Sequence, residues 1–311
     1  MNRFDAVGFG ALNMDKLFSV NEIAAAEGES FIRDFAEVPG GSAANTMVGL
    51  SRLECKVGFI GKVACDPEGM KLLEDFRKEN VDVNGIIVAE QGRTGTVMGF
   101  VSERGERALY VDAGVNSAIT TVPKKEYASE ASFLHLTSFV GEKSFHAQVD
   151  LANSLPKSVK LSFDPGALYA RRSSVQLRSI LKHTFVCMPN ALELELMTRR
   201  TGYKEGAEAL IREGVEIVAV KLGKRGCYVT DGREKHRIPA LNVKTVDTTG
   251  AGDAFCAGFL YGLISNETLE ECGRIGNFLG SRCVMKIGAR TGLPTLNDLR
   301  AEFKGSLFKN E

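Results

Sequence analysis

The chain has 311 residues, 44% of them hydrophobic, and its 39 basic and 39 acidic side chains give a formal net charge of zero. This length allows one large α/β domain or two smaller ones, and the balanced charge argues against a general nucleic-acid or membrane-surface partner. Seven scattered cysteines and four histidines argue against a zinc site and a disulfide framework. No apolar run approaches the roughly 18 residues of a membrane span, and no signal peptide is visible, so we expect a cytoplasmic protein.

The N-terminal segment predicts a buried strand at residues 5–10, ending in Gly-x-Gly and followed by Asn13 and Asp15. This Gly-x-Gly lacks the third glycine of a dinucleotide-binding fingerprint. It also lacks the helix that should follow, because residues 16–20 look extended. We therefore disfavour an NAD-dependent oxidoreductase.

A hairpin and two extended segments are predicted outside the regular part of the fold. Residues 94–102 and 108–112 alternate apolar and polar side chains on either side of a polar tip, which is typical of a hairpin. With the extended stretches at residues 16–20 and 30–38, they predict a small β-sheet. A small sheet outside the alternating strands and helices is suited to form a lid over a binding site.

The rest of the chain is predicted to alternate strands and helices. The predicted strands lie at 55–63, 133–137, 160–164, 185–188 and 217–222, and the predicted helices at 67–80, about 144–154, 192–200 and 204–213. This order is typical of a parallel sheet with crossover helices, in which ligands bind beyond the carboxyl ends of the strands. The residues that follow such ends are Asn13, Asp15, Asp164, Asn190, Gly223 and the turn at 247–253. We therefore expect one active site along this edge.

A first glycine-rich turn, Gly-Gly-Ser-Ala-Ala-Asn at residues 40–45, precedes small and apolar residues at helical spacing. We predict a helix there with Ser42 as its N-cap and Asn45 one turn inside. The turn would let a substrate approach backbone amides. A structural turn with packing glycines explains it equally well.

A second glycine-rich turn spans residues 246–255, between a strand-like run at 241–246 and a predicted helix at 254–264. The glycines let the backbone approach a ligand, and the N–H groups at the start of the helix favour an anion. Asp253 would repel a phosphate, so it needs another task, such as accepting a proton from a hydroxyl that attacks a phosphoryl group. The alternative is an ordinary turn in which Asp253 stabilises the first helical turn.

Two further segments lie where a nucleotide could bind. Asn190 and Glu193 share one helical face and could hold Mg²⁺ through water, although an N-capped helix with a first-turn glutamate also explains them. The Lys-Leu-Gly-Lys-Arg-Gly run at 221–226 combines glycines and cations at a strand end. A hairpin turn with a solvated charge pair explains that run as well.

Four motifs occur in the order of one known family. They are Gly-Gly-Ser-Ala-Ala-Asn at 40–45, Asn-x-x-Glu at 190–193, Leu-Gly-x-x-Gly at 222–226 and Asp-Thr-Thr-Gly-Ala-Gly-Asp at 247–253. With them the chain resembles the ribokinase-like (PfkB) carbohydrate kinases over essentially its whole length. The resemblance implies a three-layer α/β/α sandwich with a mostly parallel central sheet. It implies one kinase domain at residues 1–311, with lid segments at about 15–38 and 94–113.

The resemblance also implies ATP-dependent transfer of the γ-phosphoryl group to a hydroxymethyl group, with Mg²⁺. The roles it assigns are Asp253 as base and Gly250, Ala251 and Gly252 as anion hole; Asn13, Asp15, Gly40, Gly41, Asn45, Thr137 and Asp253 for the substrate; Asn190, Lys221, Gly223, Gly226 and Asn277 for the nucleotide; and Glu193 for Mg²⁺. Asp247 and Thr249, with the loop at 288–290, match a monovalent-cation (K⁺) site. In many members the lid hairpin also forms a dimer interface.

The chain departs from true ribokinases at several of these positions. Ser42 replaces a lysine that helps to bind ribose, and Thr137 or Ser138 stands in place of a sugar-binding glutamate. Lys221 replaces a threonine on the nucleotide side. Lost hydrogen-bond partners can cost orders of magnitude in discrimination. We therefore expect a small sugar other than ribose or, as the alternative, a ribonucleoside of the adenosine, inosine or cytidine type.

A different class of function is also compatible with this fold. The chain could be a non-catalytic nucleotide or metabolite sensor, because fold does not determine function. Since the base and the anion hole are intact, and Asn190 and Glu193 are present, we favour the enzyme.

Overall fold

The structure is a computed structural model that describes residues 2–104, 106–120 and 125–303. The described strands are β1 (Phe4–Phe9), β2 (Asn13–Val20), β3 (Ile32–Gly40), β4 (Val57–Ala64), β5 (Val81–Ala89), β6 (Gly95–Ser102), β7 (Arg107–Asp112), β8 (Ala131–Thr137), β9 (Lys160–Asp164), β10 (Thr184–Cys187), β11 (Ile217–Lys221), β12 (Cys227–Thr230) and β13 (Lys235–Ile238). The described helices are α1 (Ser42–Arg52), α2 (Pro67–Lys78), α3 (Lys125–Ser129), α4 (Glu142–Ser154), α5 (Gly166–Ala170), α6 (Ser174–Leu181), α7 (Ala191–Thr198), α8 (Tyr203–Arg212), α9 (Ala251–Ile264), α10 (Leu269–Cys283) and α11 (Leu296–Glu302). Two short 3₁₀ turns cover Gly114–Ala118 and Gly223–Arg225.

The central sheet contains nine of the described strands, in the order β13-β12-β11-β10-β9-β8-β1-β4-β5. From β5 to β11 every neighbouring pair is parallel, and β12 and β13 add an antiparallel edge. The prediction of a mostly parallel sheet with crossover helices is therefore confirmed.

Helices cover both faces of the central sheet, because its inner strands are apolar on both sides. Along β11, Ile217 and Ala219 belong to one buried cluster, and Val218 and Val220 belong to the other. The first cluster includes residues of α1, α2, α9, α10 and α11, and the second includes residues of α3 to α8. The result is a three-layer α/β/α sandwich.

Four strands form the small sheet of the predicted lid, in the order β3-β2-β6-β7. The β2–β3 and β6–β7 pairs are antiparallel, and β2 pairs with β6 in parallel. The ring of Phe18 stacks on Phe35 and on Phe100, with both centroid distances at 4.9 Å. The predicted hairpin is present, while its tip residue Gly105 lies outside the described residues.

Two local predictions are wrong. Residues 241–246 form no strand, and this mostly exposed segment pairs with neither sheet. The N–H of Val246 donates instead to the carbonyl of Val284, just after α10, at 2.8 Å. Ser42 is not an N-cap: the cap position belongs to Gly41, and Ser42 is the first helical residue. The strands β5, β12 and β13 and the helices α3, α5, α6 and α10 have no counterpart among the predicted elements. The predicted terminal helix is present as α11, and residues 304–311 lie outside the described part.

Among the described residues, no helix combines the length and the apolar character that a membrane-spanning segment needs.

Candidate active site

Two helices begin side by side at the centre of the molecule, each after a glycine with positive φ. Gly41 precedes α1 with φ 105°, and Gly250 precedes α9 with φ 75°. One turn inside α1, the Asn45 Nδ2 donates a hydrogen bond of 2.8 Å to Oδ2 of Asp253, in the first turn of α9. The two glycine-rich turns, about 200 residues apart in the chain, therefore meet at one point.

The Asp253 carboxylate is 9% exposed. Burial raises its pKa to about 6, although the hydrogen bond from Asn45 lowers it. The neighbouring Asp164 carboxylate raises the pKa further, while Ser42 and Lys221 lower it. A carboxylate with such a pKa is ionised at neutral pH and can still accept a proton, which is the property that a general base requires.

The start of α9 presents backbone N–H groups beside Asp253. The Ala251 N–H donates to the carbonyl of Thr248 at 3.3 Å. The N–H groups of Gly252 and Asp253 make no hydrogen bond to any described residue. A Cβ on Gly252 would lie 3.4 Å from the Lys221 Nζ. Free helix-end amides beside an ammonium group favour an anion.

Lys221 and Asp164 form a buried ion pair beside these amides. The Lys221 Nζ lies 2.6 Å from Asp164 Oδ2, and the side chains are 12% and 8% exposed. The thiol of Cys256 donates to the same oxygen at 3.4 Å. Burial is the largest single effect on Lys221 and lowers its pKa, but Asp164, Cys256 and Glu193 together raise it, so that the net pKa is above its usual value and the ammonium stays charged. This excludes the alternative of a solvated charge pair for Lys221.

Asn190 and Glu193 form a capping box at the start of α7. The Asn190 Oδ1 accepts from the Glu193 N–H at 2.9 Å, and Glu193 Oε2 accepts from the Asn190 N–H at 2.7 Å. Burial raises the pKa of Glu193, although Lys221 lowers it. The geometry is thus that of an N-capped helix with a first-turn glutamate, and both side chains also line a cavity.

Two adjoining cavities open along the carboxyl ends of the strands. The smaller, of about 290 Å³, is lined by Ser42, Asp164, Gly166, Asn190, Glu193, Lys221, Gly223, Gly252 and Asp253. The larger, of about 520 Å³, shares Lys221, Gly223 and Gly252 with it and extends past Gly226 to Asn277 and α10. The Asn277 Nδ2 donates to the carbonyls of Ile238 and Pro239, at 3.2 and 3.0 Å, and so holds the loop on the rim. The shape suits a ligand with a bulky group in the larger cavity and an anionic group at Gly252.

The donor set of the smaller cavity fits Mg²⁺. Asp164 Oδ1 is buried and has no hydrogen-bond partner among the described residues, and Glu193 supplies a second carboxylate. The described part of the chain contains no cluster of three or more His, Cys, Asp or Glu side chains with metal-binding geometry. Since Mg²⁺ is usually held by one or two carboxylates plus phosphate oxygens and water, these two groups suffice.

Comparisons with known proteins agree with this geometry. The profile of the pfkB family of carbohydrate kinases matches residues 4–296. An uncharacterized sugar kinase of Archaeoglobus fulgidus is 45% identical over 79% of this chain and 98% of its own. An ATP-dependent ribose-1-phosphate kinase of Halopiger xanaduensis is 31% identical over 94% of this chain and 95% of its own.

This chain belongs to the pfkB family of carbohydrate kinases. A solved ribokinase structure from Thermotoga maritima superposes with a TM-score of 0.87, covering 97% of this chain and 99% of that one. At 24% identity this likeness shows the shared fold. The family resemblance and the fold class expected from the sequence are both confirmed.

In this pfkB-family chain the predicted sugar-side residues gather where the lid joins the central sheet. The Asn13 Oδ1 accepts a hydrogen bond from Asn116 Nδ2 at 2.9 Å, and Asn13 pairs with Gly40 across β2 and β3. A Cβ on Gly40 would lie 2.3 Å from Asp15 Oδ2, so this glycine makes room for the carboxylate. Their role as sugar ligands stays a prediction.

Thr137, the last residue of β8, is buried under a neighbouring turn, and its role as a sugar ligand stays a prediction. It is 3% exposed, and a Cβ on Gly10 would lie 2.5 Å from its hydroxyl. The turn that contains Gly10 therefore covers the hydroxyl, and Thr137 lines neither of the two cavities described above.

The residues of the predicted monovalent-cation site lie together behind the second glycine turn. Asp247 Oδ1 accepts from the N–H and the hydroxyl of Thr249, at 2.9 and 2.8 Å, and Oδ2 accepts from the Gly288 N–H at 2.9 Å. Asp247 thereby ties the anion-hole turn to the loop at 288–290. Binding of K⁺ there stays a prediction.

Three contacts in this pfkB-family site were not predicted from the sequence. Asp164 was noted at a strand end but received no role, although it pairs with Lys221. Cys256 is an apolar-looking position of α9 that contacts Asp164. Arg290 lies on the loop that was expected at the cation site, and its hydrogen bond to Asn45 was not foreseen. Only the strand-end position of Asp164 was a usable signal, because the other two contacts join distant parts of the chain.

Proposed function

We propose that this protein is an ATP-dependent kinase that phosphorylates the hydroxymethyl group of a small sugar, with Asp253 as the general base. The observation that carries the proposal is the position of Asp253. It is a buried carboxylate at a helix N-terminus, and it lines the smaller cavity where that cavity meets the larger, nucleotide-sized one. Family membership supports the same chemistry.

Each part of the site then has a task. The base and ribose of ATP occupy the larger cavity, with the phosphates directed toward Gly252. The substrate hydroxyl lies against Asp253, which accepts its proton as the oxygen attacks the γ-phosphorus in line. The N–H groups of Gly252 and Asp253 and the Lys221 ammonium stabilise the charge that develops on the transferred group. The lid excludes water that would otherwise hydrolyse ATP.

Mg²⁺, carried with ATP, would supply further charge neutralisation at the phosphate oxygens. Asp164 and Glu193 would hold it, partly through water. We propose K⁺ as an activator at Asp247 and Thr249, where it would stiffen the anion-hole turn.

The wall of the smaller cavity favours a sugar other than free ribose as the acceptor. Ser42 brings a small hydroxyl next to Asp253 in place of the cation that a ribose site uses. The relative named as a ribose-1-phosphate kinase supports a sugar derivative rather than free ribose.

The acceptor is tested by an ADP-release assay with MgATP and KCl. The panel contains ribose, ribose 1-phosphate, fructose, fructose 6-phosphate, 2-keto-3-deoxygluconate, adenosine, inosine and cytidine. We expect turnover on one sugar class. Turnover on ribonucleosides alone would support the same mechanism but show that the substrate is a ribonucleoside. No ADP release with any compound, in a protein that still binds ATP, would favour a sensor.

The base is tested by Asp253→Asn. The variant should fold and bind ATP, yet lose about 10²- to 10⁴-fold in kcat, the usual contribution of a general base. Asp150→Asn, an exposed change on α4, is the matched control and should keep full activity. Near-normal turnover of Asp253→Asn would remove Asp253 from the base role.

The same role predicts a pH dependence. Only ionised Asp253 can accept a proton, and burial raises its pKa to about 6. The kcat/KM of the wild type should therefore be constant near neutral pH and fall tenfold per unit as the pH drops below about 6. A profile without an acid limb down to pH 5 would contradict the assignment.

A further inference from the structure

Arg290 contacts the end of the Asn45 amide that Asp253 does not use. Its Nε donates to Asn45 Oδ1 at 2.8 Å, while Asn45 Nδ2 donates to Asp253 Oδ2 at 2.8 Å. The arginine is 8% exposed, forms an ion pair with Asp75, and lies 5.7 Å from the ring centroid of Phe76. A continuous chain of contacts thus runs from α2 through Arg290 and α1 to the first turn of α9.

The chemistry of the guanidinium decides which way the amide points. A guanidinium group has five N–H donors and no acceptor. The oxygen of Asn45 must therefore face Arg290, because the flipped amide would set donor against donor. With the oxygen fixed, the Asn45 NH₂ group faces the Asp253 carboxyl group. Its hydrogen bond is stronger to the ionised carboxylate than to the protonated carboxyl, so it favours the ionised form.

We propose that Arg290 is a positioning residue for phosphoryl transfer, which locks the Asn45 amide so that its NH₂ group holds Asp253 in the proton-accepting form. The inference rests on the proposed function for the base role of Asp253, and it adds a residue to which neither the family motifs nor the cavities assign such a task. Arg290 acts through Asn45.

Other titratable or polar groups also face Asp253, and a substitution of Arg290 leaves their identities unchanged. They are Ser42 from α1, Asp164 from β9, Glu193 from α7, Lys221 from β11, Cys256 from α9 and Cys283 from α10. The hydrogen bond from Asn45 lowers the pKa of Asp253, against the effect of burial. Without Arg290 the amide is free to rotate, the carboxylate loses its donor, and its pKa should rise above about 6.

The test is the pH profile of Arg290→Met. The acid limb of kcat/KM should move to higher pH by about one unit, the size expected for one hydrogen bond to a charged group. Arg290→Lys keeps a positively charged group that has hydrogen-bond donors and no acceptor. The acid limb of its kcat/KM profile should therefore stay near that of the wild type. An unchanged limb in Arg290→Met would overturn the inference.

A double-mutant comparison separates positioning from the simple loss of a positive charge. In an Asn45→Ala background, Arg290→Met should cause no further shift if Arg290 acts through the amide. An equal shift in both backgrounds would mean a direct field effect and would overturn the inference. If Arg290→Met alone does not fold, because Asp75 is left without its partner, the same comparison is made with Arg290→Met/Asp75→Leu.

A readout independent of turnover separates this inference from the proposed function. The carboxyl carbon of Asp253 can be titrated by ¹³C NMR in aspartate-labelled protein and assigned by its loss in Asp253→Asn. A higher pKa in Arg290→Met would support the positioning role even if Asp253→Asn kept its activity and the base assignment failed. An unchanged pKa would refute the positioning role even if Asp253 proved to be the base.

Discussion

Lys221 shows how burial and pairing oppose each other at a single side chain. Burial disfavours the charged ammonium, yet the Asp164 carboxylate 2.6 Å away keeps its pKa above the usual value. The charge is therefore present beside Gly252 before any ligand binds. Such a preformed cation costs no reorganisation when a phosphate arrives.

We expect Lys221→Met to raise the KM for ATP about 10- to 100-fold, the equivalent of one lost hydrogen bond to a charged group. The single change also leaves Asp164 as an unpaired buried charge, which destabilises the fold. Lys221→Met/Asp164→Asn removes both charges, so that it should fold more stably than the single variant and still bind ATP weakly. Lys235→Met, an exposed change on β13, is the control. A KM for ATP within threefold of the wild type in both Lys221 variants would contradict the phosphate role.

At the level of elements, the site depends on where two helices begin. Both α1 and α9 start after a glycine with positive φ, which turns the chain sharply from the sheet into the helix. At Gly41 a Cβ would lie 2.2 Å from the carbonyl oxygen of Ala11. The turn at Gly41 therefore has two separate reasons to exclude a side chain.

Gly41→Ala should lower the free energy of unfolding by more than about 2 kcal/mol, because the strained backbone alone costs about 1–3 kcal/mol. Gly223→Ala is the matched comparison, since its φ is +59° and nothing lies within 4 Å of the added Cβ. Gly223→Ala should lower the free energy of unfolding by about 1 kcal/mol, because it adds only the strain of a left-handed backbone conformation. Urea unfolding without ATP measures the free energy of unfolding of both variants. Equal decreases in the two variants would show that the contact with Ala11 contributes nothing to the cost.

At the scale of the whole molecule, the lid carries an apolar surface that the chain itself leaves uncovered. Its most exposed large apolar side chains are Phe31, Ile32, Phe35, Leu109, Tyr110 and Val111. They lie on or beside β3 and β7, the two edges of the small sheet. Exposed edge strands with apolar side chains favour association with another chain.

We propose that two copies pair through this lid surface. Light scattering after gel filtration should then give twice the 33.7 kDa of one chain. Tyr110→Lys should lower the mass to that of a monomer, whereas Val175→Lys, an equally exposed apolar position on α6, should not. A monomeric wild type at micromolar concentration would contradict the proposal.

The sequence alone predicted the alternation of strands and helices in most of the central sheet, the segments that form the small sheet, and the two glycine turns with Asn45 and Asp253. These features depend on local periodicity and on which residues tolerate a turn, so that a short window of sequence contains the necessary information. The segment at 241–246 shows the limit of such a window, since its composition suits a strand but in the structure it pairs with neither sheet.

Only the tertiary structure decided which of these residues touch and what charge they carry. The contacts of Asn45 with Asp253 and with Arg290 join positions 208 and 245 residues apart, and the Lys221–Asp164 pair spans 57. The raised pKa of Asp253 has its first cause in burial, to which several distant elements contribute. Long-range packing and desolvation leave no local pattern, and for that reason the contact of Arg290 with Asn45 could not be predicted from sequence.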